Sequence, residues 1–277
     1  MAINGQSIIL PGVAAAAASG ARNDMTQGDS AAAMIPDLMT CLMAESVRIT
    51  PAGFEGFDAT DSRLLITSGV NAGLIAVNQQ DPIFAGRPSI TMPNASGLDM
   101  PAGSAGGIQS YTAVLVMAHA AEGLAGGENR ILTIVNPNGD TVALTIRRFG
   151  AQLSAPGLYI QPYSATGNDR LSILESTGTL PVADSTVVYV VDWSNSAKLL
   201  RLGVNSSVAT AQTALPNSFA AATDANARWR LGPSIAGPAI GRIARLYVWP
   251  RSLMSSTIGT QQLTDLVAAL KSTYGIA

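Results

Sequence analysis

The chain is poor in charged residues, aromatic rings, cysteine and histidine. Of its 277 residues, 12% are charged and 5% are aromatic, and it has a single cysteine and a single histidine. Charged residues usually make up about a quarter of a globular chain, so little colloidal repulsion protects this surface. Two interpretations stay open: the surface is largely covered within an assembly, or it is a stable uncharged surface rich in Ser, Thr and Asn.

The charge balance and the apolar runs exclude several classes of partner. A net charge of −2 offers no basic field that would attract nucleic acid or an anionic membrane. No stretch approaches 18 uninterrupted apolar residues, which predicts no membrane-spanning helix. The N-terminal apolar run has no basic residue before Arg22 and is broken by Pro11 and Gly12, unlike a secretory signal. We therefore expect the chain to fold in a cytoplasm, without nucleic-acid or membrane partners.

The residues that usually carry catalysis are also scarce. Glycoside hydrolysis needs two carboxyl groups at a fixed separation, and no stretch such as E-x-D-x-E, which would place carboxylates on alternate residues of one strand, occurs here. The lone His119 cannot supply a multi-histidine zinc site, and with no carboxylate nearby it is expected to be a structural strand-end residue. Cys41 has apolar neighbours and no partner for a disulfide, so we expect a small buried hydrophobe. The sequence predicts a protein that is not an enzyme.

What the chain does contain is a series of short strands. Residues 130–148 form the clearest hairpin, because the Asn138-Gly139 pair provides the positive φ angles of a tight turn. Residues 111–119 are almost continuously apolar, which predicts a strand buried on both faces. Residues 185–207 read as two strands around a polar turn. About twelve strands at intervals of roughly ten residues predict an all-β fold, a two-sheet antiparallel sandwich.

The last 37 residues of the sequence change this pattern. A strand ends at Pro250, which cannot donate a hydrogen bond to a sheet, and Ser255 or Ser256 can then cap a helix. Gly275 is placed to end that helix. Apolar residues recur at steps of three and four between them: Ile258, Leu263, Leu266, Val267 and Leu270. We predict a helix over about residues 256–273 that lies across one end of the sandwich and covers a sheet edge or rim.

Residues 1–50 differ in composition from the rest. They are small, polar and of low complexity, and we interpret them as an extended N-terminal arm preceding a domain over 51–277. The arm either docks on a neighbouring subunit or lies on its own domain. The spacing of Leu38, Leu42 and Met43 predicts a short helix after Pro36. The residues predicted to form an assembly interface are Ile3, Ile8, Ile9, Met34, Leu38 and Met39.

Four stretches resemble one known family. They are GRPSITMPNASGLDMP, YTAVLVMAH, STVVYVVDWSNSAKLLRLGVNSS and the closing segment from RLGPSIAGPAIGRIARLYVW to KSTYGI. Together they resemble the concanavalin A-like lectin/glucanase jelly rolls, of the laminin-G-like type frequent in bacteriophage virion proteins. The resemblance covers roughly residues 85–277, and Arg245 stands where that family often has a glutamate.

The resemblance implies a jelly-roll fold and a role in a phage particle. The expected function is a non-enzymatic virion structural protein, a capsid decoration or cement protein or a head fibre, anchored by its arm. Its partners would be capsid or tail subunits and further copies of itself, with assembly in the host cytoplasm and the virion as final location. The alternative is a tail-fibre or adsorption protein that binds host-surface glycan. A glycan-cleaving enzyme is the less favoured third class.

Two kinds of small-ligand site can be predicted from single residues. Trp193, Trp229 and Tyr163 are candidates to stack on a sugar, with core packing as the competing interpretation. No cofactor is expected other than calcium, which loop oxygens of Asn and Asp bind. The clusters that could hold calcium, or equally serve as turn residues, are Asn136, Asn138 and Asp140, then Asn168 and Asp169, then Asp192 and Asn195.

Overall fold

The computed structural model describes residues 25–51, 53–60, 63–121, 128–138, 141–149, 157–161, 182–214, 224–233, 237 and 239–277. Within these ranges, hydrogen bonding defines sixteen strands and two α-helices. The helices are α1 (Gln27–Ala33) and α2 (Thr257–Tyr274). The strands of the first half are β1 (Thr40–Met43), β2 (Val47–Thr50), β3 (Gly53–Gly56), β4 (Ile66–Ser68), β5 (Ala76–Asp81), β6 (Arg87–Met92), β7 (Gly97–Asp99) and β8 (Tyr111–His119). Those of the second half are β9 (Glu128–Val135), β10 (Thr141–Phe149), β11 (Gly157–Gln161), β12 (Thr186–Ser194), β13 (Leu199–Val204), β14 (Ala211–Ala214), β15 (Arg228–Leu231) and β16 (Gly241–Trp249).

The larger sheet has eight strands, all paired antiparallel. Its order is β14-β13-β12-β8-β16-β6-β5, and β1 also pairs with β16. One edge of β16 is shared: Gly241–Ile243 pairs with β6, and Arg245–Val248 pairs with β1. The strand from the N-terminal segment therefore completes the pairing of β16 where β6 stops.

The smaller sheet has six strands in the order β11-β10-β9-β15-β7-β4, and β2 and β3 form a separate hairpin. The predicted hairpin over residues 130–148 is present as β9 and β10, and the predicted pair over 185–207 is present as β12 and β13. The prediction of an antiparallel two-sheet sandwich with a C-terminal helix is confirmed.

The main core lies between the two sheets. The inward residues of β8 alternate along the strand, with Leu115 and Met117 among them. They meet Ile134, Trp229 and Leu231 from the smaller sheet. Alternation of side chains along a strand puts every second residue into this core and leaves the others facing outward.

The outward residues of the larger sheet are also apolar, and helix α2 covers them. Val114 and Val116 of β8 pack with Leu266 and Leu270 of α2 in a second buried cluster. This corrects the predicted position of the helix at an end or rim, because a sheet that is apolar on both faces must be covered on both. All nine residues of β8 are buried, as predicted from its apolar run.

The helix has the predicted caps. The Ser256 hydroxyl accepts a hydrogen bond from the Gly259 N–H at 3.0 Å, and Gly275 follows the last helical residue with φ 65°. These contacts satisfy backbone groups that a helix end leaves unpaired. Within the described ranges, no helix has both the length and the apolar character needed to cross a membrane.

The residues 25–50 of the predicted arm lie on the sandwich itself. Helix α1 packs against α2, where Leu270 lies beside Gly28. The segment predicted to be helical around Leu42 is instead strand β1, with Leu42 facing the main core and Cys41 and Met43 facing the helix layer. Pairing with the open part of β16 outweighs a weak local helix pattern, because tertiary context overrides propensity. Residues 1–24 of the arm lie outside the described residues.

Candidate functional site

The predicted sugar platforms are core residues where the structure describes them. Trp193 is 1% exposed and Trp229 is 0% exposed, and both belong to the cluster between the sheets. The Trp229 ring packs edge-on against Tyr111 with the centroids 5.2 Å apart. A ring enclosed in this way offers no face to a sugar, so the prediction is corrected for both tryptophans. Tyr163 lies outside the described residues.

Asp192, predicted as a possible calcium ligand, is a buried residue whose carboxylate accepts hydrogen bonds from several elements of the fold. Its carboxylate accepts hydrogen bonds from the Thr112 hydroxyl at 2.6 Å and from the Arg201 guanidinium at 2.9 Å. The Ser252 hydroxyl and the Met254 N–H also donate to it. With four donors around it, this carboxylate does not fit a calcium site, because a cation would need the same lone pairs.

The remaining calcium clusters are only partly described. Asp140, Asn168 and Asp169 lie outside the described residues. Within the ranges that are described, no group of three or more His, Cys, Asp or Glu side chains could hold a metal ion. Calcium binding elsewhere in the chain stays a prediction.

His119 and Cys41 occupy buried structural positions. The His119 Nε2 lies 2.6 Å from the Tyr189 hydroxyl, and both side chains are fully buried. Burial raises the pKa of the Cys41 thiol well above its usual value, with the nearby Asp29 carboxylate adding to the effect. A thiol held in its neutral form is a poor nucleophile and behaves as a small apolar side chain.

A buried cluster of charged side chains is centred on Arg245. The register of β16 against β8 shifts between Ile243 and Arg245, and the Arg245 guanidinium carbon lies 6.0 Å from the centre of the Tyr274 ring of α2. Its Nε donates to Asp29 Oδ1 at 2.8 Å, and its Nη2 donates to Glu45 Oε1 at 2.7 Å. The Tyr247 hydroxyl donates to the same Asp29 carboxylate. This Arg245 cluster joins α1, the turn before β2 and the central strand β16.

The cluster holds Asp29 ionised. Burial alone would raise the pKa of its carboxyl, but the Arg245 charge and the hydrogen bonds from Arg245, Tyr247 and Thr26 outweigh it and lower the pKa. Burial also raises the pKa of Tyr247 well above its usual value, with Asp29 adding to the effect. The arrangement is a permanent ion pair with a neutral phenol beside it, which is a structural role.

The predicted interface residues differ in their accessibility. Met34 is 76% exposed, whereas Leu38 and Met39 are half-buried, and Met39 packs against the main core. Ile3, Ile8 and Ile9 lie outside the described residues.

Exposed apolar side chains concentrate in one part of the sequence that prediction did not single out. Around the β2–β3 hairpin and edge strand β4, six of them are exposed, and we call this the 49–74 surface. Its members are Ile49, Phe57, Leu64, Ile66, Val70 and Leu74. Phe57 and Leu64 form an isolated β-bridge, so at least these two are neighbours. Exposed apolar side chains that lie together, as Phe57 and Leu64 do, mark binding faces more often than isolated ones do.

A concave surface lies where the β5–β6 turn, the start of β12 and the end of α2 come together. Two hollows, of about 520 Å³ and about 270 Å³, share Asp184 as a lining residue, and we call the pair the Asp184 depression. The larger hollow has Pro82, Ile83 and Ile276 in its walls, and the smaller one has Arg242. Asp184 is exposed, and its backbone has the left-handed conformation with φ 54°.

Sequence reasoning missed Asp184 because the depression exists only in the folded chain. Its walls come from three segments near residues 82, 184 and 275. The first two segments are about 100 residues apart along the sequence, and the last two are about 90 residues apart. A local signal does exist: aspartate is one of the few residues apart from glycine that adopt the left-handed region readily. That signal marks a turn, however, and not a binding site.

Comparison with known proteins identifies the fold. No family model matches the chain, and no curated protein matches it in sequence. Among solved structures, domain 4 of AbnA, an extracellular arabinanase from Geobacillus stearothermophilus, solved with arabinotriose, is 16% identical with a TM-score of 0.52. The alignment covers 83% of this chain and 98% of that domain.

Two further matches come from longer proteins. The binding domain of botulinum neurotoxin DC, solved in complex with SialylT, is 9% identical with a TM-score of 0.53, covering 82% of this chain and 52% of that one. The Trypanosoma rangeli sialidase, solved with sialic acid, is 12% identical with a TM-score of 0.54, and the alignment covers 86% of this chain and 33% of the sialidase. This chain therefore spans about half the length of the neurotoxin chain and about a third of the length of the sialidase. At these identities the likeness establishes a shared β-sandwich fold and nothing further.

Proposed function

We propose that this chain is a non-catalytic carbohydrate-binding β-sandwich module. The observation that supports it most is the structural match to nearly the whole of a domain that was solved with arabinotriose bound. Fold alone does not dictate function, and the proposal needs a surface able to receive a sugar. The Asp184 depression offers a concave, partly apolar surface of that kind.

The arrangement of carboxylates supports binding over cleavage. Glycoside hydrolysis needs two carboxyl groups facing one another across the scissile bond. Glu45 is committed to Arg245, and Glu55 is paired with Arg48 at 2.6 Å. The buried Asp81 and Asp99 are paired with arginines as well. In the part of the chain with described side chains, these carboxylates are therefore engaged in ion pairs and are not poised as an acid and a nucleophile.

A glycan array probed with the full chain, followed by chromatography of the same glycans after long incubation, tests this proposal. The expected result is retention on a subset of glycans with no release of reducing ends. Absence of signal on every glycan would overturn the binding role. Release of shortened products would overturn the non-catalytic part alone.

A second candidate function is attachment within a phage particle, as a capsid decoration or cement protein, a head fibre, or a tail-fibre adsorption protein. The 49–74 surface supports it, because its six exposed apolar side chains leave apolar area that a partner could cover. Other virion subunits or further copies of this chain would cover that surface. The two functions are compatible, since an adsorption protein both assembles and binds glycan.

Cryo-electron microscopy of particles that carry the chain tests this second candidate. The expected result is density for residues 49–74 against a neighbouring subunit, with residues 1–50 near the same contact. A protein that is missing from purified particles, as measured by mass spectrometry, would contradict it.

A further inference from the structure

We propose that the Asp184 depression is the carbohydrate site and that it selects neutral saccharides over sialylated ones. This inference rests on the proposed function and adds to it a place and a class of ligand. Two of the structural matches were solved with SialylT or with sialic acid. Sialic acid carries a negative charge, so the charges that line the depression indicate whether a charged or a neutral sugar would be preferred.

The walls of the depression are held rigidly by the fold. Asp81 accepts hydrogen bonds from the Ile83 N–H at 3.1 Å and from Arg242 at 3.0 Å, so one carboxylate fixes both a wall of the larger hollow and a wall of the smaller one. The Thr186 hydroxyl donates to the Ile83 carbonyl, which ties the β5–β6 turn to the start of β12. A site with fixed walls loses little conformational entropy when a ligand binds.

Asp184 is presented at the junction of the two hollows. Its N–H donates to the His119 carbonyl at 3.0 Å, which fixes its backbone, while its side chain is exposed. Among the described residues, no side-chain hydrogen bond or ion pair engages its carboxylate. A carboxylate has acceptor sites for several hydroxyl donors, and adjacent hydroxyls of a sugar ring supply such donors.

Apolar groups complete the surface on the side of the larger hollow. Pro82 is exposed, and Ile83 and Ile276 are half-buried in the same walls. These aliphatic groups can pack on the C–H face of a sugar while Asp184 accepts hydrogen bonds from its hydroxyls. Sites for small ligands combine a mostly apolar surface with a few placed polar groups in this manner.

The charges determine which sugars fit. Among the described residues that line the larger hollow, Asp184 carries the only charged side chain. In the smaller hollow the positive charge of Arg242 is already paired with Asp81. A carboxylate on the sugar would therefore meet the Asp184 carboxylate, and the single cation among the described lining residues, Arg242, is already paired. At a separation of about 4 Å in water, this repulsion weakens binding by roughly fivefold.

The test uses glycan pairs that differ by one terminal sialic acid, such as lactose and 3′-sialyllactose, on an array and in solution titrations. The variant is Asp184→Asn, because asparagine tolerates the left-handed conformation as aspartate does and removes the charge alone. The matched control is Asp265→Asn on the exposed face of α2, where the carboxylate accepts a hydrogen bond from Gln261. Thermal unfolding of each variant checks that the fold is retained.

The wild-type protein is expected to bind neutral members of the pairs at least about fivefold more tightly than sialylated ones. Asp184→Asn is expected to weaken neutral binding by roughly fivefold, because a charge-assisted hydrogen bond becomes a neutral one, and to bring the ratio within each pair toward one. Asp265→Asn should leave both values unchanged.

Each other outcome overturns a defined part of the account. A blank array for the wild-type protein defeats the proposed function itself. Binding that survives Asp184→Asn unchanged leaves the function standing and defeats this location. Preference for sialylated glycans, lost in the variant, keeps the location and defeats the ligand class.

Discussion

Replacing Arg245 by methionine should destabilise the protein strongly, because it removes the positive charge from a buried cluster. Arg245 is 0% exposed and bonds to both Asp29 and Glu45, which lie outside strand β16 and come from the N-terminal segment. Methionine keeps a similar length of side chain without the guanidinium. The change therefore tests whether residues 25–50 are held on the sandwich by this ion cluster.

The expected loss in the free energy of unfolding depends on the two carboxylates, of Asp29 and Glu45, that lose their partner. Removing one partner of a buried ion pair costs about 3–5 kcal/mol, because the remaining charge stays desolvated. Asp29 keeps its hydrogen bonds from Tyr247 and Thr26, and the Glu45 side chain is 14% exposed and can turn toward water. Because Asp29 keeps these hydrogen bonds and Glu45 can reach water, we expect the free energy of unfolding to fall by about 3 kcal/mol, the lower end of that range.

The assay is urea unfolding followed by tryptophan fluorescence, which reports on the buried Trp193, Trp229 and Trp249. The control is Arg48→Met, which breaks a surface pair with Glu55 in which the arginine side chain is 53% exposed. Exposed pairs contribute about 0–1 kcal/mol, so this control should change the free energy of unfolding little.

The pH dependence gives an independent check with a defined sign. Asp29 has a lowered pKa in the folded wild-type protein, so its stabilising contribution is present above about pH 4 and is lost as pH falls through the folded pKa. Without Arg245, only the hydrogen bonds from Tyr247 and Thr26 oppose the effect of burial, so the pKa of the Asp29 carboxyl rises relative to the wild-type protein and acid neutralises the carboxylate more readily. The difference between the two proteins should be largest near pH 7 and should shrink on acidification. An Arg245→Met loss below about 1 kcal/mol, or one that does not change with pH, would refute the reasoning.

Two other pairs of variants test the packing. Gly241→Ala should lower the free energy of unfolding by more than about 2 kcal/mol, because a Cβ there would lie 2.0 Å from the Ala118 carbonyl oxygen in a backbone with φ 116°. The control is Gly53→Ala, which has the same φ but no heavy atom within 4 Å of the added Cβ, so it should show the conformational cost alone. A Gly241→Ala loss no larger than that of Gly53→Ala would contradict the close strand packing. Leu266→Ala, under helix α2, should cost about 2–5 kcal/mol, whereas Ile258→Ala at a side chain 74% exposed should stay within about 0.5 kcal/mol, both by thermal or urea unfolding. Equal losses would show that α2 does not pack on the sheet as described.

The elements with strong local patterns could be predicted from the sequence. The continuous apolar run of β8 correctly indicated burial on both faces, and Ser256 and Gly275 correctly marked the ends of α2. These features depend on neighbours one to four residues away, which periodicity and capping chemistry report directly. The position of α2 was predicted wrongly, at an end or rim, although it covers the outer face of the sheet that contains β8.

Features that depend on distant pairing could not be predicted. Strand β1 forms because β6 stops pairing at Ile243 and leaves the rest of β16 open, a fact that no local pattern around Leu42 contains. The tryptophans were ambiguous for the same reason, since an aromatic residue at a strand end has the same local sequence whether it faces a core or solvent. Asp184 became visible once the fold had brought three distant segments around it.

A crystal structure of the full chain soaked with the saccharide that gives the strongest array signal tests the central claim most directly. The account predicts a sugar in the Asp184 depression, with hydroxyls donating to the Asp184 carboxylate and a ring face against Ile83 or Ile276. A sugar bound at another surface, with the depression unchanged, would contradict it.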